Sequence, residues 1–146
     1  MSTPFVDIYQ RAIFRFRDYD FCHMNDLDIN EVLFAYLRSA ISDFSPVCEI
    51  DLNDFDAEAE EFNQDLDNEV QEILSLGISF YWISTQIMNQ ELLRNSLSTK
   101  DYSYFSPANL LRESQTLRDS LRKEYRDRIT QYTYHHADLA GISGNG

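Results

Sequence analysis

The segment "DNEVQEILSLGISFYWISTQIMNQELLRN", residues 67–95, restricts the fold more than any other part of the chain. Val70, Ile73, Leu74, Gly77, Ile78, Tyr81, Trp82 and Thr85 recur at three- and four-residue steps, and Phe80, Ile83 and Ile87 widen the stripe they form. A helix that is apolar over most of its circumference must be covered from several sides. This segment is therefore expected to be a central helix, and the rest of the chain must supply its cover. Gly77 stands inside it at a cost of about 1 kcal/mol relative to alanine. That placement is expected to let another helix pass close.

Three stretches have the patterns of covering helices. "STPFVDIYQRAIFRF" opens with Thr3 before Pro4, a capping hydroxyl followed by proline at a first helical position. Phe5, Ile8, Tyr9, Ala12, Ile13 and Phe16 give this segment one apolar stripe. In "LDINEVLFAYLRSAISDFS", Asp28 and Glu31 have capping-box spacing. Ile29, Val32, Leu33, Tyr36, Leu37, Ala40, Ile41 and Phe44 form its buried face, and Ser45–Pro46 is expected to end it. Ser106–Pro107 opens a long charged helix to about Tyr132, with a narrow stripe of Leu110, Leu111, Leu117, Leu121, Tyr125, Ile129 and Tyr132. Between the second and central helices lies "PVCEIDLNDFDAEAEEFNQDLDNE", in which "VCEIDL" alternates like a short strand without a clear partner. The expected fold is mainly α: a small bundle of about four helices with a long charged C-terminal helix, an irregular acidic loop region and an extended C-terminal tail. Residues 1–140 read as a single domain, and the Gly-rich 141–146 as a flexible tail.

Charge narrows the function. The chain carries a net charge of −13 over 146 residues. That opposes binding to nucleic acid or to anionic lipid. No apolar run reaches the roughly 18 residues of a membrane span, and the N-terminus lacks a signal-type apolar segment, so a cytoplasmic site of synthesis is expected. The charge is unevenly spread. Residues 18–93 hold 18 acidic side chains and one basic, Arg38, so 1 − 18 = −17. Residues 107–134 hold six basic and four acidic, so 6 − 4 = +2. One reading is a solvated helix laced with i,i+4 pairs such as Asp119 with Lys123. The other is a basic ridge and an acidic belt on different faces, which complement each other when identical subunits meet head to tail.

No catalytic or cofactor-binding motif stands out. Acidic loops starting at Asp51 or Asp54 miss the glycine and the twelfth-position glutamate of a calcium hand. His135, His136 and Asp138 lack the i,i+4 histidine spacing of a zinc helix, and adjacent histidines diverge by about 100°. Cys22 and Cys48 read as small buried hydrophobes. The "YTYHHADLAG" cluster is left with two roles: a helix end capping its own core, or a handle for another protein.

Several stretches together resemble one group: "LFAYLRSAISDF", "EILSLGISFYWISTQIMNQELLRNSLSTKDYSYFSPANLLRE" and "YTYHHADLAG". In content and order they resemble the head-to-tail adaptors, or neck connectors, of tailed bacteriophages, over about residues 30–140. The ending matches as Tyr132, Tyr134, His136, Asp138 and Leu139. The resemblance implies a non-enzymatic virion protein without cofactor, assembled in the bacterial host cytoplasm as a homo-oligomeric ring of about twelve copies. Such a ring sits beneath the portal protein, lengthens the channel and meets the next neck or tail-completion protein. It surrounds passing DNA without binding it specifically during ejection. The resemblance also implies portal contacts through Tyr132, Tyr134, His135, His136, Asp138, Leu139 and Ile142, and ring contacts through Arg112, Arg118, Arg122 and Arg126. An acidic helical regulator, acting as a DNA mimic, is the alternative; a carboxylate hydrolase is a weaker third.

Overall fold

The structure, a computed structural model, describes residues 2–16, 26–96 and 110–145. Four helices lie among them: α1 (Phe5–Phe16), α2 (Asp26–Phe44), α3 (Asn68–Ser96) and α4 (Leu110–Asn145). Three two-residue strands accompany them, β1 (Thr3–Pro4), β2 (Phe55–Asp56) and β3 (Glu61–Phe62). The mainly helical bundle expected from the apolar periodicity is the observed fold.

α3 is the central helix, and α1, α2 and α4 all pack on it. Residues 73–79 are buried without interruption. Its N-terminus is fixed by Asp67, whose carboxylate accepts from the Val70 N–H at 2.9 Å while its carbonyl accepts from the Gln71 N–H. This side chain satisfies one of the amides that a helix start leaves unpaired. Within α3 the buried Ser75 and Ser79 donate to the carbonyls of Glu72 and Ser75. Their polar groups are thus paired inside the apolar core.

Gly77 is where the bundle closes. A Cβ placed there would lie 2.6 Å from the Ala40 Cβ of α2 and 2.9 Å from the Tyr125 hydroxyl of α4. The missing side chain therefore admits two neighbouring helices. Tyr125 uses that access to donate to Asp43 Oδ2 at 3.1 Å, and its hydroxyl lies 3.4 Å from the Ala40 carbonyl. Tyr81 of α3 also donates to Asp43, which joins three helices at one carboxylate.

Several elements differ from the sequence expectation. Thr3 does not cap α1. Its hydroxyl donates to the Gln64 carbonyl at 2.9 Å and accepts from the Leu66 N–H at 2.8 Å, pinning the N-terminus to the segment before α3. Thr3 and Pro4 pair instead with Phe62 and Glu61, so the tertiary partner outcompetes the local cap. α2 starts at Asp26, upstream of the capping box expected at Asp28. It ends at Phe44 before Pro46, as the proline requires. "VCEIDL" is not a strand: Val47 and Cys48 donate back to the Phe44 carbonyl and close a turn. The strands come from the following residues, in the order β1–β3–β2, all antiparallel. A hairpin joins β2 and β3, with Asp56 accepting from the Glu58 and Ala59 amides and Glu60 in the left-handed region at φ 56°. The strands serve to bring Phe55 and Phe62 onto Phe5 and Phe34, with ring centroids 5.1–6.1 Å apart. Rings at these separations attract each other beyond their buried area.

α4 is longer than the sequence suggests. Its backbone is helical past Tyr132, the end expected from the apolar stripe. Once started, a helix gains a hydrogen bond with each added residue. The expected start at Ser106–Pro107 lies outside the described residues, as do Cys22 and His23.

Candidate functional site

The C-terminal aromatic and histidine cluster divides into an inner and an outer part. Tyr132 is only 1% exposed and belongs to the core. Its ring meets Phe44 edge-on at 4.8 Å, and its hydroxyl accepts from the Glu49 N–H at 3.0 Å. The Cys48 thiol also points at this hydroxyl, at 3.7 Å. Burial pushes the Tyr132 phenol up to about 12, while the Glu49 amide works against the shift. Burial raises the Cys48 thiol as well. His136 stacks on Tyr132 at 3.9 Å, sits 2.8 Å from the Tyr132 carbonyl and approaches Glu49 Oε2 at 3.6 Å. His135 lies 3.2 Å from Glu69 Oε2, in the first turn of α3.

Tyr134 points the other way and is 64% exposed. Tyr132, expected at a partner contact, is buried within its own chain, because α4 turns it inward onto Phe44 with the rest of its narrow stripe. His135 and His136 are engaged with Glu69 and Glu49, and Tyr134 is left facing outward on a helix held from within. The side chains of Asp138, Leu139 and Ile142 lie outside the described residues.

The charged part of α4 has two unlike flanks. With Tyr125 pointing inward and each residue turning about 100°, Arg112, Asp119, Arg122, Lys123 and Arg126 fall within one sector. All five are exposed; with Asp127, which lines the same depression and is exposed too, the charge sums to 4 − 2 = +2. The other flank carries Glu113, Glu124 and Arg128, or 1 − 2 = −1. Arg118 lies nearer the packed side and pairs with Asp119 at 3.3 Å. Lys123 pairs forward with Asp127 at 3.3 Å rather than back with Asp119. Arg122 and Arg126 line one shallow depression with Asp119, Lys123 and Asp127. Among the described residues, neither of these two guanidiniums makes an ion pair. Of the four expected ring contacts, Arg112, Arg122 and Arg126 thus share a face, and Arg118 does not.

The acidic belt is a surface of its own. Residues 49–69 hold ten carboxylates and no lysine or arginine. Glu49, Asp51, Asp56, Glu58, Glu60, Asp65 and Asp67 are exposed there. The hairpin of β2 and β3 displays Glu58 and Glu60 at its turn.

The periodicity reading overlooks two polar clusters. Arg11 and Arg15 of α1 both grip Glu72 of α3, and Arg15 also donates to Ser75 at 2.6 Å. Burial draws the Arg15 guanidinium down from its usual range, and nearby Glu124 partly restores it. The i,i+4 spacing of these arginines beside the Ile8–Ala12 stripe is the signal that marks them. Asp43, which binds two tyrosines, has no such local signal. No helix of the described residues is long and apolar enough to cross a membrane, and no group of three metal-capable side chains occurs among them.

Set against protein-family models, curated proteins and solved structures, the chain matches none of them.

Proposed function

We propose that this protein is a structural virion subunit, a head-to-tail adaptor that forms a ring beneath the portal of a tailed bacteriophage and links the filled head to the neck or tail. The observation that carries this reading is the separation of opposite charge on two exposed surfaces of one bundle, the basic flank of α4 and the acidic 49–69 region. A subunit with unlike faces binds its own copies head to tail, and a contact of that kind either closes into a ring or runs on as a filament. The sequence resemblance to neck connectors supplies the biological setting. In this reading Tyr134, at the outer side of the C-terminal helix, meets the portal protein together with Asp138, Leu139 and Ile142, while His135 and His136 pair with Glu69 and Glu49 of their own chain. With −13 per subunit, the ring repels passing DNA and binds none of it specifically.

The test is direct. Purified virions should contain the protein at many copies each, and negative-stain images of the protein mixed with portal should show rings stacked on portal. Particles without the protein, together with no ring on portal, refute the proposal. The exposed acidic surface also favours a second reading, a monomeric regulator that occupies the DNA site of a basic protein. That protein would be absent from virions and would compete with duplex DNA for its target.

A further inference from the structure

We infer that the acidic hairpin of one copy docks on the basic flank of α4 of the next, with Glu58 and Glu60 facing Arg122 and Arg126. The inference rests on the adaptor reading and assigns its subunit contact. Three observations carry it. Arg122 and Arg126 are exposed on one side of the longest helix, and neither has an ion-pair partner among the described residues. Arginine presents several fixed N–H donors that match a carboxylate two at a time. Arg122 and Arg126, one turn apart, line one depression together with Asp119 and Asp127; Asp119 pairs with Arg118 and Asp127 with Lys123, so the two guanidiniums remain as a receptor for two further carboxylates.

The hairpin is the matching ligand. Glu58 and Glu60 are exposed at its turn and make no ion pair among the described residues. The hairpin is held rigidly: Asp56 binds two turn amides, the Glu60 carbonyl accepts from the Phe5 N–H at 2.9 Å, and Phe55 and Phe62 are seated against Phe5. A fixed presenter loses little conformational freedom on docking. Among the described residues, the ion pairs between the acidic region and α4 lie at the far end of α4, where Glu49 and Glu69 face His136 and His135. The four uncommitted charges are therefore left for a neighbour. Because flank and hairpin are different surfaces, each docked pair leaves one of each unfilled, and the contact propagates.

The experiment reverses charge on each surface and then mixes the variants. Wild-type chain should self-associate beyond two copies at low ionic strength and dissociate as salt screens the contact. Arg122→Glu with Arg126→Glu should weaken association by about tenfold or more, as should Glu58→Lys with Glu60→Lys. Circular dichroism of both variants should match wild type. Mixed together, the two variants should regain assembly beyond two copies, seen by sedimentation velocity, since each reversed surface now meets its complement. Unchanged assembly in both variants, no recovery on mixing, or recovery that stops at two copies overturns the inference. Rings that persist on portal in the reversed variants refute this contact and leave the adaptor reading standing. A wild-type chain that stays monomeric with and without portal ends both.

Discussion

Gly77→Ala is the substitution with the sharpest expected consequence. The added methyl would sit 2.6 Å from the Ala40 Cβ and 2.9–3.0 Å from the Tyr125 hydroxyl and its ring carbon. Carbon atoms in contact sit about 3.5–4.0 Å apart, so α2 must retreat by roughly 1 Å. Ala40 is fully buried and its Cβ is fixed to helical backbone, so no side-chain rotation relieves the clash. Overpacking of this kind costs about 1–3 kcal/mol. Displacing Tyr125 from Asp43 adds about 1.5 kcal/mol, the low end for a bond to a charged group because Asp43 is exposed. Alanine returns about 1 kcal/mol of helix propensity. The net destabilisation is about 1.5–3.5 kcal/mol, which for a chain of this size lowers Tm by roughly 5–12 °C. Urea unfolding, followed by circular dichroism and by the fluorescence of buried Trp82, measures it. Ala40→Gly in the same chain removes the nearer obstacle. The double variant should then be less destabilised than the two single changes added together, with a coupling of about 1 kcal/mol. A Gly77→Ala protein as stable as wild type, or a strictly additive pair, would refute the close-approach argument.

Three further outcomes are expected. Thr3→Val leaves the buried Leu66 amide without its acceptor and should cost about 1–3 kcal/mol in urea unfolding, whereas Thr3→Ser should keep most of the stability. Tyr132→Phe should cost about 1–2 kcal/mol by stranding the Glu49 N–H, whereas Tyr134→Ala should stay within about 0.5 kcal/mol while weakening attachment to portal in a pull-down. Stability should also fall in alkali. Burial holds the Tyr132 phenol up at about 12, and raises Tyr9, Tyr81 and Tyr125 as well. Unfolded tyrosine releases its proton near pH 10, so stability is complete below about pH 10 and is lost as pH climbs through 12. Four of the nine tyrosines should therefore resist phenolate formation until the chain unfolds, a lag visible in their ultraviolet absorbance.

The candidate surfaces were only partly legible in the chain. Their charge was plain, since 18 acidic residues lie between positions 18 and 93 and half of the basic residues lie on one helix. Which residues of that helix share a flank follows from its turn once one inward residue is known, and Tyr125 supplied that reference. The division between Tyr132 and Tyr134 was legible in part: Tyr132, seven residues after Tyr125, falls in the apolar stripe of the helix and Tyr134 does not. That Phe44 of α2 is the ring Tyr132 meets was decided by the packing alone.

By itself the sequence determined a helical bundle with α3 at its centre, because apolar spacing is a local property and a helix apolar on most sides has to be enclosed. It also determined the end of α2, since a proline forbids continuation whatever surrounds it. The tertiary structure alone decided that Thr3 joins a strand instead of a cap, that β2 and β3 form after a stretch with better strand alternation, and that Asp43 gathers two tyrosines from other helices. These are contacts between residues far apart in the chain, and their energies depend on partners that no local window contains. Gly77 belongs to both sides: its presence in a buried helix signalled a close approach, and only the packing showed that two helices, α2 and α4, make it.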